Sequence, residues 1–233
     1  MRPIIDHLLD LVFPPRCAAC RAFLEGSERH LCVPCAETLV VPEAPLCPRC
    51  ALPEAEGFCQ ACRESPPAFT RITAAFLYGG ALSDAIERFK YQEARHLAGA
   101  LIALSQTAAR AAFEWSTLVV PIPLHAARLR QRGFNQALVL ARPLARQTNR
   151  PVRPEALVRT RATRPQVGQS RTQRLENVKD AFRAEPCAVQ DARLLLVDDV
   201  VTTSATVREA SLAAMRAGAR EVRVFCLARA FEG

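Results

Sequence analysis

Residues 194–214 read LLLVDDVVTTSATVREASLAA and combine an apolar run, two carboxylates, a hydroxyl-rich segment and a helical pattern. The run Leu194–Val197 is continuously apolar, which is typical of a strand buried on both faces of a parallel sheet. Residues 206–214 place apolar side chains on one stripe, and Gly218 is a suitable C-terminal stop for a helix. We therefore predict a strand–loop–helix unit in which the chain leaves the core at Asp198.

The predicted loop combines carboxylates with hydroxyl groups. Free N–H groups and the positive dipole end at a helix N-terminus bind phosphate, and ligands of open α/β sheets lie at the carboxyl ends of the strands. Asp198 and Asp199 are acceptors suited to a vicinal diol such as that of ribose. The loop hydroxyls belong to Thr202, Thr203, Ser204 and Thr206. The pattern predicts a ribose 5-phosphate site, and the alternative is a strand that ends in a polar turn capping a helix.

Length and charge limit the architecture and the partners. The chain has 233 residues, half of them hydrophobic, which suffices for one α/β core with a small appendage. The net charge of +8 suggests a polyanion partner such as nucleic acid, a phosphate ligand or an anionic membrane, and the alternative is a solvated basic surface. Lys90 and Lys179 are the two lysines among 31 basic residues, and arginine is the better bidentate phosphate ligand.

The first 13 residues show apolar positions at mostly helical spacing. They predict a short amphipathic helix that ends at Pro14 and packs on the main domain, with a membrane-surface role as the alternative. This segment is too short to span a bilayer, and no signal peptide or other transmembrane segment is visible. We expect a cytoplasmic location, with association with the inner face of the membrane left open.

Eight of the ten cysteines form four C-x-x-C pairs. The pairs are Cys17/Cys20, Cys32/Cys35, Cys47/Cys50 and Cys59/Cys62. Each pair can aim two sulfurs at one ion, and four thiolates close a tetrahedral zinc site. The segment has few large apolar residues, so metal must replace a core. We predict two structural Zn²⁺ ions in a double zinc ribbon; consecutive pairing is the simplest arrangement, cross-braced pairing stays open, and disulfide or redox chemistry is the alternative.

After a linker at 65–67, strand and helix patterns alternate along the chain. Predicted strands cover 71–78, 117–122 and 221–228, and predicted helices cover 81–90, 97–112 and a segment from the Asn135 cap to about 147. Residues 158–180 predict a long polar loop, or a loop with one helical turn. The alternation predicts an α/β fold with a mainly parallel sheet. The predicted domains are 1–66, with the helix and zinc ribbon, and 67–233.

Six short stretches then coincide in one order along nearly the whole chain. They are Pro14-Pro15-x-Cys17-x-x-Cys20, Phe89-Lys90-Tyr91, Pro121-Ile122-Pro123-Leu124-His125, Arg132-Gly133-Phe134-Asn135-Gln136, Gln166 with Arg174 and Asn177, and Val197-Asp198-Asp199-Val200. In this order they resemble the ComF family of competence proteins, which are related to phosphoribosyltransferases. The stretch 132–136 is the most specific to the family, whereas the Asp-Asp stretch is shared by the wider superfamily.

The resemblance implies a type I phosphoribosyltransferase-like domain behind an N-terminal double zinc ribbon, with phosphoribosyl pyrophosphate (PRPP) and Mg²⁺ as ligands. Asp198 and Asp199 match the residues that accept hydrogen bonds from the ribose diol, and Val200 follows them within the same PRPP-binding motif. The 5-phosphate loop matches Thr202, Thr203, Ser204, Ala205 and Thr206. Ser204 stands where the PRPP-binding motif of type I phosphoribosyltransferases usually has glycine, which adopts positive φ without steric cost.

The resemblance also assigns the diphosphate end of the ligand. The stretch 123–125 stands where the superfamily places its pyrophosphate loop, and His125 would be a pyrophosphate donor, a general acid or simply a satisfied polar residue. Lys90, Arg128 and Arg132 are candidates for the pyrophosphate charge. The segment 158–180 would form a hood over the site.

Two functions follow from the resemblance. The first is a PRPP-binding protein of DNA uptake in natural transformation, with single-stranded DNA and competence-machinery proteins as partners. The second is a genuine phosphoribosyltransferase that acts on an unidentified base or amine. The basic residues from Arg128 to Arg174 suit a polyanion, but Phe134 is the one aromatic residue there. We predict that Trp115 and the phenylalanines are core residues rather than stacking platforms for bases.

Overall fold

A computed structural model describes residues 14–26, 28–54, 56–91, 96–162 and 171–231 of the chain. The strands are β1 (Arg71–Leu77), β2 (Leu118–Pro121), β3 (Leu157–Arg159), β4 (Phe182–Ala184), β5 (Arg193–Val201) and β6 (Glu221–Arg229). The helices are α1 (Val33–Glu37), α2 (Gln60–Glu64), α3 (Gly80–Tyr91), α4 (Leu97–Trp115), α5 (Ala126–Arg132), α6 (Gln136–Gln147), α7 (Arg171–Val178), α8 (Pro186–Val189) and α9 (Ala205–Arg216), with a 3-10 turn at Pro154–Ala156. The predicted helix at 1–13, Gln166 and the side chain of Arg174 lie outside the described part of the chain.

The central sheet has four strands in the order β1-β6-β5-β2, and all of its pairings are parallel. Helices α3, α4 and α6 pack on one face, whereas α9 packs on the other. Strand β5 contributes Leu195 and Val197 to the first face and Leu194 and Leu196 to the second. The strand is therefore buried on both faces, as its apolar run predicts, and the α/β prediction with a mainly parallel sheet is confirmed.

The predicted exit of the chain at Asp198 is wrong. Strand β5 continues to Val201, and Val200 and Val201 pair with Ala228 and Arg229 of β6. The β-branched valines after the two aspartates suit a continuing ladder. Because successive side chains of a strand point to opposite faces, the two carboxylates cannot both point the same way.

The polar loop predicted at 158–180 is also wrong over its described part. Strands β3 and β4 form a separate antiparallel pair in which Leu157 lies opposite Ala184 and Arg159 lies opposite Phe182. Helix α7 lies between these strands in the chain and is longer than the single turn left open by the sequence. A strand of three residues is too short to show a period of two, so the pattern alone does not reveal the pair.

The zinc-ribbon segment packs directly on the edge of the sheet. The backbone N–H of Ile72 donates to the carbonyl of Arg49 at 2.7 Å, and that of Leu77 donates to the carbonyl of Val40 at 2.8 Å. These bonds cover the outer side of β1, which would otherwise be an open edge. At the start of α3, Gly80 has a φ of +50°, and a Cβ there would lie 2.9 Å from Cβ of Thr38. The close approach of ribbon and helix therefore requires glycine.

Candidate functional site

The eight clustered cysteines form two separate groups. Cys17, Cys20, Cys32 and Cys35 make the first centre, and Cys47, Cys50, Cys59 and Cys62 make the second centre. Within each centre the four sulfurs lie within 4.8 Å of one another, and all ten cysteines of the chain are free of disulfide bonds. Four converging thiols at this separation fit tetrahedral Zn²⁺. Consecutive pairing is confirmed, and the cross-braced alternative is wrong.

The two centres differ in burial. In the first centre Cys20 is exposed and Cys35 is half-buried, whereas all four cysteines of the second centre are buried. The second centre belongs to the same apolar cluster as the sheet residues Ile72 and Val224. Burial raises the pKa of Cys47, but N–H groups of Cys50, Cys59 and Arg49 outweigh it and lower that pKa to about 6. These N–H groups favour the thiolate that binds metal.

Asp198 and Asp199 occupy opposite faces near the carboxyl end of β5. Asp199 is 8% exposed, and its Oδ2 lies 3.2 Å from Nζ of Lys90 on α3. Its Oδ1 accepts a bond from the N–H of Val200 at 2.7 Å, and Oδ1 of Asp198 accepts one from the N–H of Asp199 at 2.9 Å. Asp199 is thus committed to an internal ion pair, while Asp198 lies on the side of α9.

The two carboxyls therefore differ in their protonation. Burial raises the pKa of Asp198 well above its usual value, and the neighbouring Asp199 raises it further. Burial acts on Asp199 in the same direction, but Lys90 and the N–H of Val200 hold the pKa of Asp199 below its usual value. A pair of carboxyls whose environments push their pKa values apart is a recurrent feature of ligand and catalytic sites.

Residues 202–206, called the 202–206 loop below, connect β5 to α9. Ser204 is the N-cap of α9 and adopts the left-handed conformation, with φ 64° and ψ 5°. Ser204 thus adopts a positive φ, a conformation that glycine takes without steric cost. A small cleft beside the loop is lined by Asp198, Val200, Thr202, Ser204, Ala205 and Thr206. The structure brings these six predicted residues together, and Thr203 lines a second, larger cavity that Thr202 and Ser204 also line.

The family-specific stretch 132–136 forms the turn between α5 and α6. Asn135 caps α6, as predicted: its Oδ1 accepts from the N–H of Leu138 at 3.4 Å, and its Nδ2 donates to the carbonyl of Ile122 at 3.0 Å. Phe134 is buried against Phe89, with ring centroids 5.4 Å apart. The stretch thus ties the end of β2 to α3, the helix that carries Lys90.

Helix α5 brings the predicted diphosphate residues to the same end of the sheet. His125 is its N-cap, and Nδ1 of the imidazole accepts from the N–H of Ala127 at 3.3 Å, which leaves Nε2 for another partner. Arg132 bonds to Oε1 of Gln136 at 3.3 Å and favours the ionised form of Asp199. Arg128 is half-buried on the same helix.

Sequence reasoning missed two arginines beside this site. Burial and the neighbouring Arg128 together lower the pKa of Arg159 to about 10, although Asp198 acts in the opposite direction. Arg159 on β3 therefore lies within electrostatic reach of both Asp198 and Arg128. Arg229 at the end of β6 is buried and bonds to the hydroxyl of Ser204 at 3.3 Å. Neither arginine belongs to a recognisable motif. The sequence placed Arg159 near the site only as part of the segment 158–180, which was wrongly predicted to be a loop.

We expect the two carboxyls to affect stability in opposite directions. A carboxyl whose pKa is higher in the folded than in the unfolded protein stabilises the fold at pH values below its unfolded pKa, which is near 3.8 for Asp198. This stabilisation is lost as the pH rises through the pKa of the folded state. Asp198→Asn should therefore raise Tm at neutral pH by ~2–4 °C, equivalent to roughly 1 kcal/mol. Asp199→Asn should lower Tm, because Lys90 loses its partner and the depressed pKa of Asp199 contributes stability above its unfolded value.

Thermal unfolding of the wild type and the two variants between about pH 4 and about pH 8 checks this. The gap between Asp198→Asn and the wild type should widen as the pH rises. A gap that stays constant would contradict the raised pKa of Asp198.

The zinc ribbon exposes two phenylalanines, so the prediction of core positions is wrong for them. Phe23 is 52% exposed and Phe58 is 43% exposed. Each ring is covered by an arginine: Cζ of Arg16 lies 4.0 Å from the centroid of Phe23, and Cζ of Arg49 lies 4.9 Å from that of Phe58. Exposed aromatic rings with guanidinium groups are the elements that stack on nucleobases.

Within the described ranges, none of the helices combines the length and the apolar character needed to cross a membrane.

Comparisons with known proteins match both parts of the chain. Residues 8–64 match the double zinc ribbon domain family. The chain is 35% identical to DNA utilization protein YhgH of Escherichia coli (strain K12) over 226 residues, which cover 94% of this chain and 99% of that protein. It is 31% identical to competence protein F of Haemophilus influenzae, over 92% of this chain and 97% of the other. It is 28% identical to competence protein ComFC of Bacillus subtilis (strain 168), over 89% and 87%.

Among solved structures, the chain is similar to glutamine phosphoribosylpyrophosphate (PRPP) amidotransferase from B. subtilis complexed with ADP and GMP. The TM-score is 0.32 at 22% identity, over 51% of this chain and 26% of that chain. The allosteric regulatory enzyme of purine biosynthesis matches with the same TM-score and identity, over 51% and 25%.

Proposed function

Because the chain belongs to the family of competence protein F and DNA utilization protein YhgH, we propose that it is a PRPP-binding protein that handles single-stranded DNA during uptake. The names of the relatives support a role in DNA utilization and competence. The cleft at Asp198 and the 202–206 loop supports PRPP as the ligand. The proposed location is the cytoplasm, where thiols stay reduced and bind metal, with the inner face of the membrane as the alternative. Proteins of the competence machinery are the proposed partners.

One observation carries the PRPP assignment: the cleft that joins Asp198 to the 202–206 loop. In the proposed complex the 5-phosphate accepts bonds from the first N–H groups of α9 and from the loop hydroxyls, since a helix N-terminus favours an anion. Asp198, which lines the cleft, accepts from the ribose hydroxyls, and Asp199, on the opposite face of β5, holds Lys90 beside the site. A protonated Asp198 would have to release its proton to accept both bonds.

The diphosphate end of PRPP would lie towards α5. Arg128, Arg132 and Lys90 supply positive charge there, with His125 Nε2 as a further donor. When bound, Mg²⁺ would neutralise the diphosphate, and oxygen ligands such as the Asp198 carboxylate suit this hard cation. Arg159 on β3 adds positive charge within electrostatic reach of Asp198 and Arg128.

Calorimetric titration with PRPP tests this assignment. Binding is expected with Mg²⁺ present and should weaken when EDTA replaces it. Ribose 5-phosphate and pyrophosphate should each bind more weakly than PRPP, because each fills half of the site. The alternative function, a phosphoribosyltransferase, predicts pyrophosphate release when an acceptor base or amine is added. A protein that binds single-stranded DNA but gives no heat with PRPP would contradict the proposal.

Single-stranded DNA is proposed to stack on the exposed rings of the zinc ribbon. Replacing both Phe23 and Phe58 by alanine should weaken binding of an oligothymidine at least about tenfold, because stacking contributes ~1–3 kcal/mol per base. The slope of log affinity against log salt should stay unchanged, because no charge is removed. Fluorescence anisotropy at several salt concentrations measures both quantities.

Val40 and Val41 offer a matched control. Both are exposed apolar residues of the same ribbon, at 53% and 56%, and the double change to alanine should leave DNA affinity at the wild-type value. Equal affinities of the phenylalanine variant and the valine variant would remove the ribbon from the DNA interface.

A further inference from the structure

We propose that Arg229 is a positioning residue that couples the second zinc centre to the 202–206 loop, so that the loop keeps its ligand-binding shape only while that centre holds its metal. The part of this proposal that concerns PRPP rests on the proposed function. The part that concerns loop order and metal retention stands on the contacts of Arg229 alone.

The guanidinium of Arg229 bonds to both structures at once. Its Nε donates to the carbonyl of Cys50, a member of the second centre, at 3.0 Å. Its Nη1 donates to the carbonyls of Val201 at 2.9 Å and of Thr202, where β5 passes into the loop. Its Nη2 donates to Oγ of Ser204 at 3.3 Å. One planar group thus fixes the metal-binding turn and the start of the loop in a single arrangement.

This arginine is a buried cation. Its side chain is 1% exposed, and no carboxylate oxygen of the described residues lies within 4.0 Å of its guanidinium nitrogens. The hydrogen-bond acceptors named above are neutral, whereas a buried charge requires compensation. Four thiolates around one Zn²⁺ carry a net negative charge, and the guanidinium of Arg229 donates to the carbonyl of Cys50 within that centre. The second metal centre therefore places negative charge beside this buried cation.

The bond to Ser204 bears on the shape of the loop. Residues other than glycine disfavour the left-handed conformation that Ser204 adopts, because their Cβ crowds the backbone. Arg229 holds this residue through its hydroxyl and holds the two carbonyls at 201 and 202 that precede it. Because the hydroxyl accepts from Arg229, its own proton remains available to donate to a phosphate.

Side-chain packing between the second centre and the 202–206 loop does not replace the hydrogen bonds of Arg229. A cavity of about 390 Å³ separates the second centre from the loop, and its walls include Cys62, Thr203, Arg208 and Arg229. Arg208 bridges it in part, with Nη1 2.7 Å from the carbonyl of Ser65. The first centre is held differently: Nη1 of Arg88 on α3 donates to the carbonyls of Ala18 at 2.6 Å and Ala19 at 3.2 Å. The first centre therefore serves as a control for effects of zinc loss in general.

The test compares Arg229→Met with Arg223→Met, the same change on the same strand. Arg223 pairs with Glu221 at 2.9 Å. In Arg229→Met we expect amide hydrogen exchange at 201–206 to accelerate at least about tenfold and zinc to leave the second centre faster, because charged hydrogen bonds to both are lost. Arg223→Met should behave as the wild type. If Arg229→Met is poorly folded, Arg229→Lys, which keeps the charge but cannot bridge, should retain zinc better yet show the same accelerated loop exchange.

Removal of metal tests the same coupling from the other side. Cys59→Ser with Cys62→Ser should accelerate exchange at 201–206, whereas Cys32→Ser with Cys35→Ser should not. PRPP affinity should fall at least about tenfold in Arg229→Met and in the second-centre variant. Wild-type exchange at 201–206 in both of those variants would overturn the coupling. A wild-type protein that fails to bind PRPP would instead overturn the proposed function, since the exchange and zinc readouts need no ligand.

Discussion

Replacing Asp198 and Asp199 together by asparagine is expected to lower PRPP affinity at least about a hundredfold. Hydrogen bonds to charged groups contribute ~1.5–3 kcal/mol each, and about 1.4 kcal/mol corresponds to tenfold. In this variant Asp198 loses its charged acceptor oxygens for the ribose, and Asp199 loses the charge that holds Lys90 beside the site. Calorimetric titration of both proteins with PRPP and Mg²⁺ at neutral pH measures the loss.

The single variants should divide this effect unequally. Asp199 is already engaged with Lys90 at 3.2 Å, whereas Asp198 lines the cleft beside the loop. We expect Asp198→Asn to weaken binding while raising Tm, and Asp199→Asn to weaken binding while lowering Tm. A loss of affinity that accompanies a gain in stability identifies a residue that serves the ligand rather than the fold.

Asp191→Asn provides the control for this experiment. Asp191 is exposed and has a φ of 57°, a conformation that asparagine tolerates. Its substitution should leave PRPP affinity unchanged. If the Asp198/Asp199 double variant binds PRPP as tightly as Asp191→Asn, the ligand site lies elsewhere in the molecule.

Removal of both zinc ions is expected to unfold the ribbon and to destabilise the whole protein. Binding of structural zinc contributes ~10–16 kcal/mol in small metal domains, which equals or exceeds the usual ~5–15 kcal/mol of total stability. The ribbon also covers the edge of β1 through the carbonyls of Val40 and Arg49. Its loss would therefore expose an open strand edge as well as apolar surface. Elemental analysis should report two zinc ions per chain, and chelation should lower Tm sharply.

Zinc release should occur in two steps, because the centres differ in burial. The first centre includes the exposed Cys20 and should release its metal first, and the buried second centre should follow more slowly. Cys187→Ser is the control, since this exposed cysteine belongs to neither centre. A single zinc per chain, or a zinc-free protein with an unchanged Tm, would contradict these expectations.

The parts of the site that sequence could predict are those set by local order. The C-x-x-C spacing, the Asp-Asp segment before the loop and the Asn135 cap each depend on residues a few positions apart. Helix α6 ends at Gln147, as its pattern predicts, because its period and its cap are local. Strand β5 ran past its predicted end because its last pairings are made with β6, which is distant in the chain.

The amino-acid sequence by itself determined the chemistry available to this protein: eight paired thiols, two adjacent carboxylates and a hydroxyl-rich loop before a helix. Tertiary structure alone decided how these groups are used. It pairs Lys90 with Asp199, exposes Phe23 and Phe58, and selects Arg229 from 31 basic residues to bond with Cys50, 179 positions away. The physical reason is range: spacing and capping act within a few residues, whereas burial and the partner of a charge are fixed only when distant segments pack together.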